Sequence, residues 1–154
     1  MANKTQETCF SREGNRLVFG YDAEKFWIEP WGENSLRVRA TKLAEMPTES
    51  WALLEPAVTE PEITLNEDGS ASIRNGKLTA SLTAVGRITF YNQKGDLLLE
   101  EYVRNRQDVN SDACSALEVE GREFKPIIGG DYQLSARFES TSTDERLYGM
   151  GQYQ

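Results

Sequence analysis

Histidine is absent from this sequence. With it go the Ser-His-Asp and Cys-His nucleophilic arrangements, imidazole metal ligands, and the side chain most often used as an acid or base near neutral pH. Any chemistry the chain carries has to run on carboxylates, Tyr, Lys or Ser. Cysteine is scarce too: Cys9 and Cys114 lie far apart with no C-x-x-C spacing, which fits neither a zinc knuckle nor a thioredoxin-like pair. Two buried or incidental thiols are expected rather than a disulfide. Basic charge is short, with 17 Lys and Arg against 25 Asp and Glu and a net charge of -8. Such a surface repels a phosphate backbone, so no nucleic-acid partner is expected. No apolar run approaches the roughly 18 residues of a spanning helix, and "MANKTQETCF" holds no apolar signal core. The expectation is a cytoplasmic chain with no membrane partner. Helical periodicity is also nearly missing: only "TKLAEMPTESWALLEP" suggests a helix, and Pro47 and Pro56 interrupt it.

What remains is strong alternation of apolar and polar residues. In "SLRVRAT", Leu36, Val38 and Ala40 fall on one face and Arg37, Arg39 and Thr41 on the other, as a half-buried strand requires. "SIRNGKLTASLTAV" places Ile73 before an Asn75-Gly76 pair and Leu78, Ala80, Leu82 and Ala84 after it, which predicts a hairpin with a type I′ turn. "RITFYNQKGDLLLEEY" predicts a second hairpin turning at Gly95, and "EITLNEDGSASI" a third turning at Asp68-Gly69. "RLVFGYD", "FWIEPWG" and "YQLSARFES" read as further strands, and "GREFKPIIGGD" as a long connection or bulged strand. Roughly nine strands with short polar turns predict an all-β fold, an antiparallel β-sandwich or barrel. At 154 residues, with 38% hydrophobic and 10% aromatic residues, the chain is the size of one folded domain, residues 1–154.

Candidate chemistry is thin. A glycosidase needs two carboxylates facing each other across the scissile bond. Glu100 and Glu101 are strand neighbours and point to opposite faces; Glu118 and Glu120 share a face; Asp144 and Glu145 crowd near the end. Solvated acidic faces are common in so acidic a chain, and that reading outweighs catalysis. Trp27 and Trp31 in "FWIEPW", with Trp51, could form a sugar-stacking platform, but a core role for one of the first two and an edge role for the other is the stronger expectation. "YGMGQ" has the G-x-G of a phosphate loop without a third glycine or a lysine, so a tight turn explains it better. No metal-ligand cluster is evident, and neither metal nor cofactor is expected.

Taken in order, "NSLRVRAT", "IRNGKLTASLTAVGRITFYNQKGDLLLEE", "YQLSARFES" and above all "DERLYGMGQ" resemble the N-terminal β-sandwich of glycoside hydrolase family 31, which includes α-glucosidases and α-xylosidases. The resemblance covers roughly Ser35 to Gln152. It implies a galactose-mutarotase-like supersandwich, cut short at its C-terminal end, from which the catalytic (β/α)₈ barrel is absent. The family's catalytic aspartates belong to that barrel, so no catalytic residue is carried over to this chain. The implied partners are the barrel of the same parent chain and, through it, a carbohydrate substrate. Gln152 is the implied substrate-contact residue, standing where many members have Glu, so a role that needs charge there is in doubt. A cut sandwich would leave strand edges open, and a homo-oligomer is therefore expected.

Overall fold

The computed structural model describes residues 9–50, 52–102 and 120–139. Twelve strands run through them in chain order, all paired antiparallel, and the described residues contain no helix. β1 (Phe10–Glu13), β2 (Arg16–Tyr21), β3 (Glu24–Pro30) and β4 (Leu36–Thr41) form one sheet in sequence order. β5 (Glu62–Leu65), β6 (Ala71–Asn75), β7 (Leu78–Leu82), β8 (Ile88–Tyr91), β9 (Leu97–Glu101) and β12 (Phe138–Glu139) form the second, with β12 beside β9. β10 (Arg122–Pro126) and β11 (Tyr132–Ala136) make a separate ribbon. β1 lies against β5 and β2 against β6, so the two sheets face one another as an antiparallel β-sandwich, the expected fold class.

The core follows from the period of two. Phe10, Leu17, Phe19, Phe26 and Ile28 from the first sheet meet Ala71, Ile73, Ala80, Leu82 and Ile88 from the second. Phe19 stacks on Phe26 with ring centroids 4.7 Å apart and meets Phe10 at 5.1 Å. Each such large side chain contributes about 1.5–3 kcal/mol by leaving water. Between these positions the alternate residues face outward, as do Arg16, Val18 and Gly20 of β2.

Loop chemistry sets the register. Four connections share one arrangement: Asn66–Ser70, Thr83–Arg87, Asn92–Asp96 and Ile127–Asp131. In each, the first amide donates to the fifth residue's carbonyl, and the fourth residue is a glycine with positive φ that donates back to the first. This is a tight turn followed by a left-handed residue, a loop whose twist matches the strands it joins. The Asn75-Gly76 hairpin differs from its expected form. Asn75 pairs with Leu78 inside the ladder, and the loop is Gly76-Lys77 with positive φ at Gly76 alone, the type II′ pattern. Asn75 stays in the strand because its side-chain amide is buried, donating to the carbonyls of Gly32 and Ser35 at 2.7 and 2.8 Å. That contact ties the β3–β4 connection of one sheet to the β6–β7 turn of the other.

Other expectations are corrected by the structure. β1 is a strand where none was anticipated, and β10 is a strand within the stretch read as a long connection or bulged strand. "YQLSARFES" is divided at Arg137 into β11 and β12 because its two halves pair with different partners. The Arg137 amide donates to Gly121 and its carbonyl accepts from Tyr102. β9 and β10 therefore lie head to tail along the same edge of the 132–139 stretch. Trp27 is not in the core: Phe26 and Ile28 take the inward positions, so Trp27 faces out, and Trp31 follows the strand's end.

Two substitutions test the turn analysis. A Cβ at residue 76 would lie 2.2 Å from the Glu33 carbonyl oxygen, at a φ of +57°. Gly76→Ala is expected to lower the unfolding free energy by more than about 1 kcal/mol. In the β2–β3 turn, Asp22 and Ala23 both hold positive φ, which costs a non-glycine residue energy. Ala23→Gly should raise stability by up to about 1 kcal/mol, read by urea unfolding; no gain would show that this turn is unstrained.

Candidate functional site

Carboxylates and arginines gather where the sandwich closes at the β2–β3 end. Arg122, first residue of β10, follows Gly121, and its guanidinium lies 4.4 Å from the ring centre of core residue Phe26. Its Nε donates to Glu24 Oε1 at 2.7 Å, Nη1 to Glu101 Oε1 at 2.5 Å, and Nη2 to the Gly86 carbonyl at 3.0 Å. One side chain thus holds the β2–β3 turn of the first sheet, the β7–β8 turn and β9 of the second, and the ribbon. The planar fork of Arg suits this role, since it can satisfy several acceptors at once.

Glu101 is the most enclosed acid, 2% exposed. Its second carboxylate oxygen accepts the Ile88 amide at 3.2 Å. Burial pushes its carboxyl above the ordinary range, and Arg122 only partly opposes that shift. Gly121 has no room for a side chain, because a Cβ there would sit 2.4 Å from Glu101 Cγ. Next door, Arg87 pairs with Glu100 at 3.0 Å and donates to the Glu101 carbonyl at 3.2 Å. Glu24, Glu101, Glu120, Arg87 and Arg122 line a cleft of about 510 Å³ here. Both inward carboxylates share the same guanidinium. They act as a structural ion cluster rather than as an acid and a nucleophile placed on two sides of a bond.

The expected alternation of Glu100 and Glu101 is seen: Glu101 points into the sandwich and Glu100 lies half-buried against Arg87. Glu120 is exposed, and Glu118 lies outside the described residues, so their pairing is not observed. Asp144, Glu145, Gln152, Trp51 and Cys114 also lie outside the described residues. Cys9 is a half-buried free thiol. Among the described residues no group of three or more acidic or cysteine side chains is placed to hold a metal ion.

The outward tryptophans do not offer open faces. Arg16 and Arg39 lie 3.9 and 5.0 Å from the Trp27 ring centre, and Arg37 lies 4.6 Å from that of Trp31. Arg39 is itself held by Glu29 through two bonds of 2.9 Å. Beyond them, Lys25 and Arg39 bind the carbonyls of Ala44 and Pro47, which draws the proline-bounded loop back over this face and buries Met46. Stacked cations take the place a sugar ring would need.

Sequence reasoning missed Arg122 and Glu24. Neither belongs to a motif, and they are 98 residues apart. The nearest signal was Gly121 before Arg122 in "EGREF", a glycine whose meaning appears only when Glu101 is packed against it.

A scan against protein-family models finds no match. The chain is 45% identical over 148 residues to an uncharacterized family 31 glucosidase of Pseudescherichia vulneris, covering 91% of this chain and 28% of that protein. It is also 49% identical to a GH31 α-xylosidase from a soil metagenome, solved in complex with xylose, with a TM-score of 0.84 over 94% of this chain and 22% of that one. The chain therefore spans less than a third of the length of the relatives it matches.

Removing one member of the buried cluster leaves a charge without its partner. Arg122→Met is expected to cost about 3–5 kcal/mol in urea unfolding, and adding Glu101→Leu to recover most of that loss; additive losses would refute the coupling. The raised carboxyl of Glu101 also fixes a pH trend. The folded state keeps a proton that the unfolded chain releases near 4.5, so this contribution is full below that value and is lost as pH rises through the raised one. The stability of the native chain relative to Glu101→Gln should therefore fall as pH rises above 4.5. A flat or rising difference would contradict the burial effect.

Proposed function

We propose that this chain, whose relatives are family 31 glycoside hydrolases, is the non-catalytic N-terminal β-sandwich of a longer retaining α-glycosidase of α-glucosidase or α-xylosidase type. In this reading the sandwich packs on a catalytic barrel and lends it a loop near the substrate mouth. The observation that carries the reading is the alignment: 94% of the chain superposes on 22% of the α-xylosidase chain. Nearly all of this chain is thus matched to a minor part of a glycosidase.

The side chains support the same reading. The inward carboxylates are bound to Arg122, and the outward tryptophans lie beneath arginines, so the described residues form a scaffold. The alternative is a self-standing carbohydrate- or protein-binding β-sandwich module; for a sugar-binding face its platform would be Trp27 and Trp31, on which arginines stack. Gln152 is the residue proposed to reach the substrate region, on the strength of the "DERLYGMGQ" resemblance.

The test is hydrolysis of p-nitrophenyl α-glucoside and α-xyloside by this chain and by the polypeptide in which it precedes a barrel. Turnover is expected from the longer polypeptide only. Activity of the chain alone would overturn the non-catalytic assignment, and inactivity of the longer polypeptide on every α-glycoside would overturn the family activity.

A further inference from the structure

Asn75-Gly76 is the single Asn-Gly pair in the sequence. Asparagine before glycine is the context most prone to deamidation, because a following residue without a side chain lets its backbone nitrogen reach the asparagine amide carbon unhindered. Here the fold demands both residues. Asn75 is 2% exposed, and its Nδ2 donates to the Gly32 and Ser35 carbonyls at 2.7 and 2.8 Å. No other side chain of its size offers two donors to fill that place. Gly76 holds a φ of +57° as the first loop residue of the type II′ turn, and a Cβ on it would collide with the Glu33 carbonyl oxygen and Asn34 Oδ1. The joint between the two sheets thus imposes a chemically labile pair.

The β3–β4 connection turns four oxygens toward this hairpin: the Gly32, Glu33 and Ser35 carbonyls and Asn34 Oδ1, which accepts the Lys77 amide at 3.0 Å. An amide group fits such surroundings. A carboxylate does not, since it has no donor and would stand as a buried negative charge against two carbonyl oxygens at hydrogen-bond distance. Those carbonyls have other donors as well: Gly32 accepts from the Thr59 hydroxyl at 3.3 Å and Ser35 from the Trp31 amide at 2.9 Å. The harm of replacing the amide by an acid therefore lies in the introduced charge.

We propose that Asn75 is a self-modification site gated by the joint it holds closed: it deamidates when the β3–β4 connection and the β6–β7 turn separate, and the product cannot close them again. The reaction needs only water and hydroxide, and is independent of any glycosidase activity. The Gly76 backbone nitrogen gives its proton to hydroxide and attacks Cγ of Asn75. A C–N bond forms, the Cγ–Nδ2 bond breaks, and Nδ2 leaves as ammonia after taking a proton from water. Water then opens the five-membered imide at either carbonyl, leaving an aspartate or an isoaspartate at position 75, with no change of oxidation state. In the closed joint Nδ2 is enclosed and held by two acceptors, so departure of ammonia and entry of water both require opening. The isoaspartate also lengthens the backbone by one methylene at the place where Asn75 pairs with Leu78. Chemistry on the open state converts a local equilibrium into a one-way loss.

Peptide mapping by mass spectrometry after incubation at mildly alkaline pH reads the site directly, as a gain of about 1 Da at residue 75. Conversion in the native chain should be at least about tenfold slower than in the same chain held unfolded in urea. When urea is then removed from a partly converted sample, unconverted chains should return to the protease-resistant native fraction and converted ones should be depleted from it. Asn75→Asp, which installs the product by substitution, should show the same exclusion or a lowered urea midpoint. The refolding comparison stands whether or not that variant folds. Equal conversion rates in the native and unfolded chain would overturn the gating. Equal recovery of converted and unconverted chains, or an Asn75→Asp variant as stable as the native chain, would overturn the one-way consequence. An unfolded chain that gains no mass at residue 75 would remove the site altogether.

Discussion

The ion cluster of Arg122 is the constraint on which the remaining structure depends. Its guanidinium lies against the aromatic core and is bound by an acid from each sheet, so the two layers and the ribbon can meet in one arrangement only. The burial that raises the Glu101 carboxyl is a cost, and it suggests that the cluster specifies geometry more than it adds net stability. At the far end of β3, the Asn75 amide performs a neutral version of the same task between Gly32 and Ser35. With the apolar layer between them, these polar contacts hold the sandwich at both ends.

This division explains why a chain that looks rich in acidic candidates spends its inward carboxylates on structural contacts. A catalytic carboxylate has to be free to meet a proton or a carbon atom; Glu24 and Glu101 are already committed to a cation. The same holds for the aromatic residues that drew attention. Trp27 and Trp31 are covered by arginines, one of which is fixed by Glu29. Cation stacking on the outer face and ion pairing at the end of the sandwich both use charged side chains for internal contacts.

Incomplete closure is the other consequence of the topology. The first sheet is a meander and the second a meander from β5 to β9 with β12 added beside β9, and neither closes on itself, so among the described residues the outer strands present edges. The edges at β1, β5 and β12 are short, four, four and two residues. At β4 the edge is longer, six residues, and Val38 on its inward face is partly exposed.

The sequence by itself determined the fold class, most strands and the glycine-bearing loops, because alternation and left-handed turn residues are local properties written over a few positions. "EITLNEDGSASI" and "RITFYNQKGDLLLEEY" fold as their patterns require. It misplaced the Asn75-Gly76 turn by one residue, since the decisive contact is with Gly32 and Ser35, some forty positions earlier. It placed a tryptophan in the core, because hydrophobic size alone does not say which parity of β3 faces inward until Phe26 and Ile28 meet Phe19 and the second sheet. The cluster around Arg122 could not be read at all: it joins Glu24, Gly86, Glu101 and Arg122, whose proximity exists only when two sheets and a ribbon converge. Local pattern decided what each segment is; long-range packing decided which charges are buried, which edges stay open, and so what the domain can do.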